Sequence, residues 1–149
     1  MFTHITRIRV GYTDTDQMGF LHHSKYVVFC ETARIEAMRA LGTCYKEIED
    51  MGIFMPVISM NFKFIRPAFY DDLLTVKTIL RDVPKARMKF EYEFYNEPGM
   101  MINSAEVTLT FINSKTRKPC FPPNVLIESL KTYFLSKELK NYGDKKIRI

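Results

Sequence analysis

Four side chains able to carry out acid–base or nucleophilic chemistry fall within ten residues of each other: Asp14, Asp16, His22 and His23. Gly19 lies between the acids and the histidines, where it permits a sharp local turn. A loop carboxylate facing the start of a helix is chemically useful. It can attack an electrophile or take a proton from water, while the free N–H groups of the helix terminus hold the negative charge that develops. Asp residues also form turns by bonding local backbone, so each acid has a plain structural reading beside the chemical one. A metal site from His4, His22, His23, Asp14 and Asp16 is conceivable on composition. Adjacent histidines point in different directions, however, and lack the i,i+4 spacing of helical metal ligands. No metal is expected.

The flanking residues must position this group. Thr3 to Tyr12 reads as a strand, with Ile8, Val10 and Tyr12 alternating against Arg7, Arg9 and Gly11. The loop Thr13 to His22 follows. Ser24 to Leu41 reads as a helix capped near His23 or Ser24, with Tyr26, Cys30, Ala33, Ala37 and Leu41 on one face. Val27 and Met38 lie beside that face, and Thr32, Glu36 and Arg39 lie opposite. Glu31 and Arg34 have the i,i+3 spacing of a helical ion pair. Gly42 then stops the helix. Thr43 to Gly52 reads as a short helical or irregular connection.

Four strands come next: Val57 to Ile65, Asp72 to Arg81, Arg87 to Tyr95 and Met101 to Ile112. The third alternates most clearly, with Met88, Phe90, Tyr92 and Phe94 against Arg87, Lys89, Glu91 and Glu93. Asn96 to Gly99 supplies a hairpin turn. Met60, Phe62 and Phe64 read as core. Pro122 and Pro123 open a short closing helix with apolar Ile127, Leu130 and Phe134. One polar and one apolar face on successive strands indicate an antiparallel sheet, here wrapped around one long central helix in an α+β arrangement.

Length and composition set the outer bounds. The 149 residues suit one domain, and an apolar fraction of 46% suffices for a core. The net charge of +5 is mixed through the chain apart from a basic tail, Lys145, Lys146 and Arg148. That balance suits a small polyanionic ligand; the scattered basic residues match no nucleic-acid motif. The three cysteines, Cys30, Cys44 and Cys120, have neither redox nor zinc spacing. No leader-like apolar core and no membrane-length run is present. A cytoplasmic protein is expected, without a transmembrane segment.

Three stretches together resemble one family. Tyr12-Thr13-Asp14-Thr15-Asp16-Gln17-Met18-Gly19, continued through His23 and Tyr26, resembles Y-x-D-T-D-x-x-G-x-x-x-H-x-x-Y. Arg66-Pro67-Ala68-Phe69-Tyr70-Asp71-Asp72-Leu73-Leu74 resembles R-P-A-x-Y-D-D-x-L, and Thr116-Arg117-Lys118-Pro119 resembles a K-P turn after the last strand. These are features of the hotdog-fold acyl-CoA thioesterases, specifically the 4-hydroxybenzoyl-CoA thioesterase-like group that includes the Tol-Pal-associated enzymes.

The resemblance implies a hotdog fold over residues 1–149 and hydrolysis of acyl-CoA, with coenzyme A entering as part of the substrate and no separate cofactor. It implies that Asp16 is the catalytic carboxylate and that the backbone N–H at His23 polarises the thioester carbonyl, with the His23 side chain assisting. Gly19 matches the loop glycine, and Tyr12 abuts the site. The family builds its site across a homodimer, often within a homotetramer. Met60 and Asn61 would then line the neighbour's acyl pocket, while Lys85 and Arg87, with Lys89, would meet the coenzyme's phosphates. Two other functions fit the same fold: a hotdog dehydratase or hydratase, and a noncatalytic acyl-CoA-binding module. Release of free thiol separates hydrolysis from both.

Overall fold

The computed structural model describes residues 1–146, so Arg148 of the basic tail lies outside the described residues. Its elements are β1 (Phe2–Arg9), α1 (His23–Ala40), α2 (Tyr45–Asp50), β2 (Ile53–Phe54), β3 (Val57–Phe64), β4 (Leu73–Leu80), β5 (Arg87–Tyr95), β6 (Met101–Thr110), β7 (Ile112–Asn113) and α3 (Asn124–Lys146). Five strands form one antiparallel sheet in the order β1-β4-β5-β6-β3. The short β2 and β7 pair separately. This is the α+β hotdog arrangement: a sheet around a long helix.

Strand alternation decides which sheet face meets α1. Met88, Phe90, Tyr92 and Phe94 of β5 are buried on one side, while Arg87 and Lys89 are exposed on the other. On α1, Tyr26, Cys30, Ala33, Ala37 and Met38 are buried. Ala33 and Ala37 add little bulk, which lets the helix lie close to the sheet. Removing this apolar surface from water is the main favourable contribution to the fold.

Several elements depart from the sequence reading. The first strand ends at Arg9, and Tyr12 belongs to a 3-10 turn, Tyr12–Asp14, with 78% of its surface exposed. Val27 is exposed. The helix begins at His23 because the His22 ring supplies the cap. The final long strand stops at Thr110 and the chain re-pairs as β7 with β2, a pairing too short to leave a periodic signal. The closing helix is long, not short, and Leu126 rather than Ile127 joins Leu130 in full burial.

Arg34 differs most. It does not pair with Glu31. It is only 6% exposed, and its Nε donates to the Tyr45 hydroxyl at 2.8 Å and its Nη1 to the Tyr92 hydroxyl at 3.3 Å.

The apolar residues of β3 also depart from expectation. β3 is an edge strand, and Ile58, Met60 and Phe64 are exposed rather than enclosed. Met60 and Phe64 still face the helix side, opposite Val107 and Asn103. An edge with open backbone groups and apolar side chains is ready to pair with another strand.

Candidate active site

The site loop is a tight hairpin. Asp16 N–H donates to Phe20 O at 2.8 Å, and Gly19 N–H returns to Asp16 O at 3.0 Å. Gly19 has φ of +81°, the left-handed region that a Cβ disfavours. One carboxylate oxygen of Asp16, Oδ1, accepts from the backbone N–H groups of Met18 (2.9 Å) and Phe20 (3.1 Å). Its other oxygen, Oδ2, has no partner among the described residues. The carboxylate is thus oriented through one oxygen, Oδ1.

Asp14 has a different job. Its Oδ2 accepts from Gly11 N–H at 2.8 Å, its Oδ1 lies 3.6 Å from Lys25 Nζ, and its carbonyl accepts from His22 N–H at 2.8 Å. These contacts tie the loop entry to the helix start.

The helix start is built around His22. Its Nδ1 accepts from Ser24 N–H at 3.2 Å, and its carbonyl accepts from Lys25 N–H at 2.9 Å. The intervening His23 N–H has no acceptor among the described residues. The His22 and His23 rings stack at 4.2 Å. Replacing His22 by Ala removes the cap and is expected to cost about 1 kcal/mol, measurable by denaturant unfolding.

The segment Pro67 to Asp72 holds the loop from the other side. Leu21 N–H donates to Ala68 O at 2.7 Å, and Phe20 bridges Phe69. Val10 and the Asp71-Asp72 pair exchange backbone bonds of 2.9 Å, and Asp72 Oδ2 caps Phe69 N–H at 2.9 Å. The Arg66-to-Leu74 motif therefore braces the site.

Asp16 and His23 line one open cleft of about 330 Å³. Its apolar wall includes Met18, Phe20, Tyr26 and Phe64. The Tyr26 ring meets Phe64 and Phe94 edge-on at 5.5 and 5.2 Å. Burial pushes the Tyr26 phenol up to about 12, so it stays neutral at physiological pH. Tyr26, Phe64 and Arg66 were quoted above without a role in a site. Tyr26 could have been found from its position, one helical turn after His23 on the buried face.

Apart from Gly19, the other candidate residues lie elsewhere on the protomer. Gly19 shapes the hairpin. Tyr12 packs on Tyr70 at 5.6 Å, outside the cleft lining. Met60 and Asn61 occupy successive β3 positions and so face opposite sides of the sheet. Lys85 and Arg87 lie at the far end. Arg87 pairs with Thr110, whereas Phe94 pairs with Asn103, the partner of Phe64. Seven residues of strand separate the two ends by roughly 23 Å. Neither Lys85 nor Arg87 forms an ion pair among the described residues, while Lys89 pairs with Glu106 at 3.1 Å. Among the described residues no three His, Cys, Asp or Glu side chains gather as a metal-binding group, and no helix is long and apolar enough to cross a membrane.

Comparison with known proteins agrees with this architecture. Residues 10–130 match the model of the thioesterase-like superfamily. The acyl-CoA thioesterase YbgC of Haemophilus influenzae is 32% identical over 120 residues, spanning 79% of this chain and 88% of that protein. The acyl-CoA thioester hydrolase YbgC of Escherichia coli is 27% identical over 124 residues, spanning 83% and 92%. The crystal structure of a DHNA-CoA thioesterase from Staphylococcus aureus superposes with a TM-score of 0.84 at 30% identity, covering 96% of each chain. The sheet around the long helix is thus the fold of the hotdog thioester hydrolases, and the chain belongs to the thioesterase-like superfamily.

Proposed function

We propose that this protein hydrolyses acyl-CoA to a free carboxylic acid and coenzyme A, with Asp16 as the reacting carboxylate. One observation carries the reading: the oriented Asp16 carboxylate and the α1 start, whose His23 N–H has no acceptor among the described residues, belong to one cleft. A thioester carbonyl bound there would place its oxygen toward the His23 N–H and its carbon toward Asp16 Oδ2. As addition proceeds, charge develops on the oxygen, and the N–H and helix terminus stabilise it. Asp16 acts either as nucleophile, giving a mixed anhydride that water then cleaves, or as base toward the attacking water. In both routes the thiolate leaves and water supplies the acid's second oxygen. The His23 ring, exposed at the cleft, assists by orienting water or the leaving group. The reaction uses no resident cofactor, and the three free cysteines suit a reducing, cytoplasmic setting.

The site is completed by a second copy. An antiparallel pairing of two β3 edges about a two-fold axis would cover Met60 and Phe64 and satisfy the open backbone edge. It would also set the Phe64 end of one copy beside the Val57 end of the other. The partner's Arg87 end would then flank the cleft, which accounts for Lys85 and Arg87 as phosphate contacts and for Met60 and Asn61 at the pocket border. A Met60→Lys change buries a charge in that junction. It is expected to yield monomers by light scattering and to lower turnover by more than about tenfold. Monomers with full activity would exclude the shared site.

Free-thiol release from acyl-CoA tests the activity itself. Hydrolysis liberates one thiol per acid formed; a dehydratase, a hydratase or a binding module liberates none.

A further inference from the structure

Arg66 lines the same cleft as Asp16 and His23, and among the described residues it is the one Lys or Arg on that lining. Its backbone N–H donates to Ile102 O at 3.1 Å, and its Nη1 donates to Met101 O at 3.1 Å. These bonds fix the root of the side chain and one arm of its fork. Among the described residues the guanidinium forms no ion pair, and Nε and Nη2 have no acceptor. An exposed guanidinium is ordinarily served by water, so the position of this one is what informs. Phe20 and Phe69 form an antiparallel bridge, and Leu21 N–H bonds Ala68 O at 2.7 Å. His22 is still extended. The same antiparallel register, carried on by two residues, sets Arg66 across from His23. The cleft also has depth. Leu21 and Tyr26 are buried at its floor, whereas Met18 and Arg66 are exposed at its rim. An acyl group goes to the apolar floor. The thiol portion trails out past the rim, because it belongs to a polar coenzyme that ends in phosphates.

We infer that Arg66 is a further catalytic residue, whose guanidinium meets the sulfur of the departing thiolate. When the tetrahedral adduct collapses, the carbon–sulfur bond breaks and its electron pair stays on sulfur. The carbonyl re-forms, so negative charge moves from the oxygen to the sulfur at the rim. Nε and Nη2 of Arg66 donate to it there, and the fixed positive charge stabilises it. Arg66 gives up no proton. The thiolate leaves as an anion and takes its proton from water. The same bond breaks whether Asp16 attacks directly or activates water, so the role of Arg66 is common to both routes. The inference rests on the thioesterase reading of the cleft, and the test separates the two.

Thiol release is measured from the hexanoyl and benzoyl thioesters of coenzyme A, of pantetheine and of thiophenol. Pantetheine carries the coenzyme's thiol without its nucleotide phosphates. Thiophenol is the more acidic thiol and leaves with less help. In Arg66→Gln, kcat/KM is expected to fall by about tenfold or more on the coenzyme A and pantetheine esters, and by less than about threefold on the thiophenol esters. Arg66→Lys keeps the charge and is expected to recover most of the loss, which also guards against a Gln variant that fails to fold. Equal loss on all three kinds of ester would mark a structural brace through the Met101 bond and overturn the inference. Loss confined to the coenzyme A esters would mark a phosphate contact and overturn it too. Wild-type turnover that Arg66→Gln leaves unchanged removes the inference alone. No thiol from any ester with the wild-type protein removes the thioesterase reading and the inference together.

Discussion

An Asp16→Asn protein is expected to fold as wild type and to lose at least about a thousandfold in kcat, with KM little changed. The substitution is selective because Asn Oδ1 can still accept from the Met18 and Phe20 N–H groups at the positions now held at 2.9 and 3.1 Å. The hairpin keeps its anchor, and what disappears is a charged oxygen able to attack or take a proton. A positioned acid–base group contributes about 10²–10⁴ in rate, and loss of a nucleophile more. Losing an interaction made only in the transition state lowers kcat without raising KM. Asp16→Ala separates the two roles of the side chain: it removes the anchor as well, so melting temperature falls along with activity. A folded Asn variant with near-wild-type turnover would assign the chemistry elsewhere.

The largest expected effect on stability comes from a residue away from the cleft. Replacing Arg34 by Ala strands the hydroxyls of Tyr45 and Tyr92 in the interior. Each unmet hydroxyl costs about 1–3 kcal/mol, and the lost packing of the side chain adds to this. A loss of about 3–5 kcal/mol is expected, lowering the melting temperature by about 10 °C for a chain of this size. Tyr92→Phe is milder, since the guanidinium retains Tyr45. Burial raises the Tyr92 and Tyr45 phenols above their ordinary range even against the pull of Arg34. The network is therefore a cation held by neutral hydroxyls, and calorimetry of the two variants gives the ordering.

Some of this is legible in the sequence alone. The bounds of β5 agree with the sequence reading because its apolar and charged residues alternate without interruption and one face is fully buried. The Asp16 loop and the His23 helix start were legible because they are seven residues apart in the chain, within the reach of local turn chemistry. The limits have physical causes too. Ser24 or His23 looks like the cap, but the His22 ring accepts the Ser24 N–H, which sets the helix start at His23. An apolar stripe on β3 has the same period whether it faces a core or an open edge, so Met60 and Phe64 read as enclosed when they are exposed. Arg34 reads as the i,i+3 partner of Glu31, because its actual partners lie 11 and 58 residues away.

The measurement that bears most directly on the central claim is the paired quantification of free thiol and free acid from acyl-CoA, with wild type and Asp16→Asn in parallel. The account predicts equal amounts of both products from the wild-type protein on at least one acyl-CoA, from acetyl to palmitoyl or the hydroxybenzoyl and phenylacetyl esters. It predicts near-background release by the folded variant. Thiol release that is unchanged by the substitution, or its absence from the wild-type protein across the whole series, would contradict it.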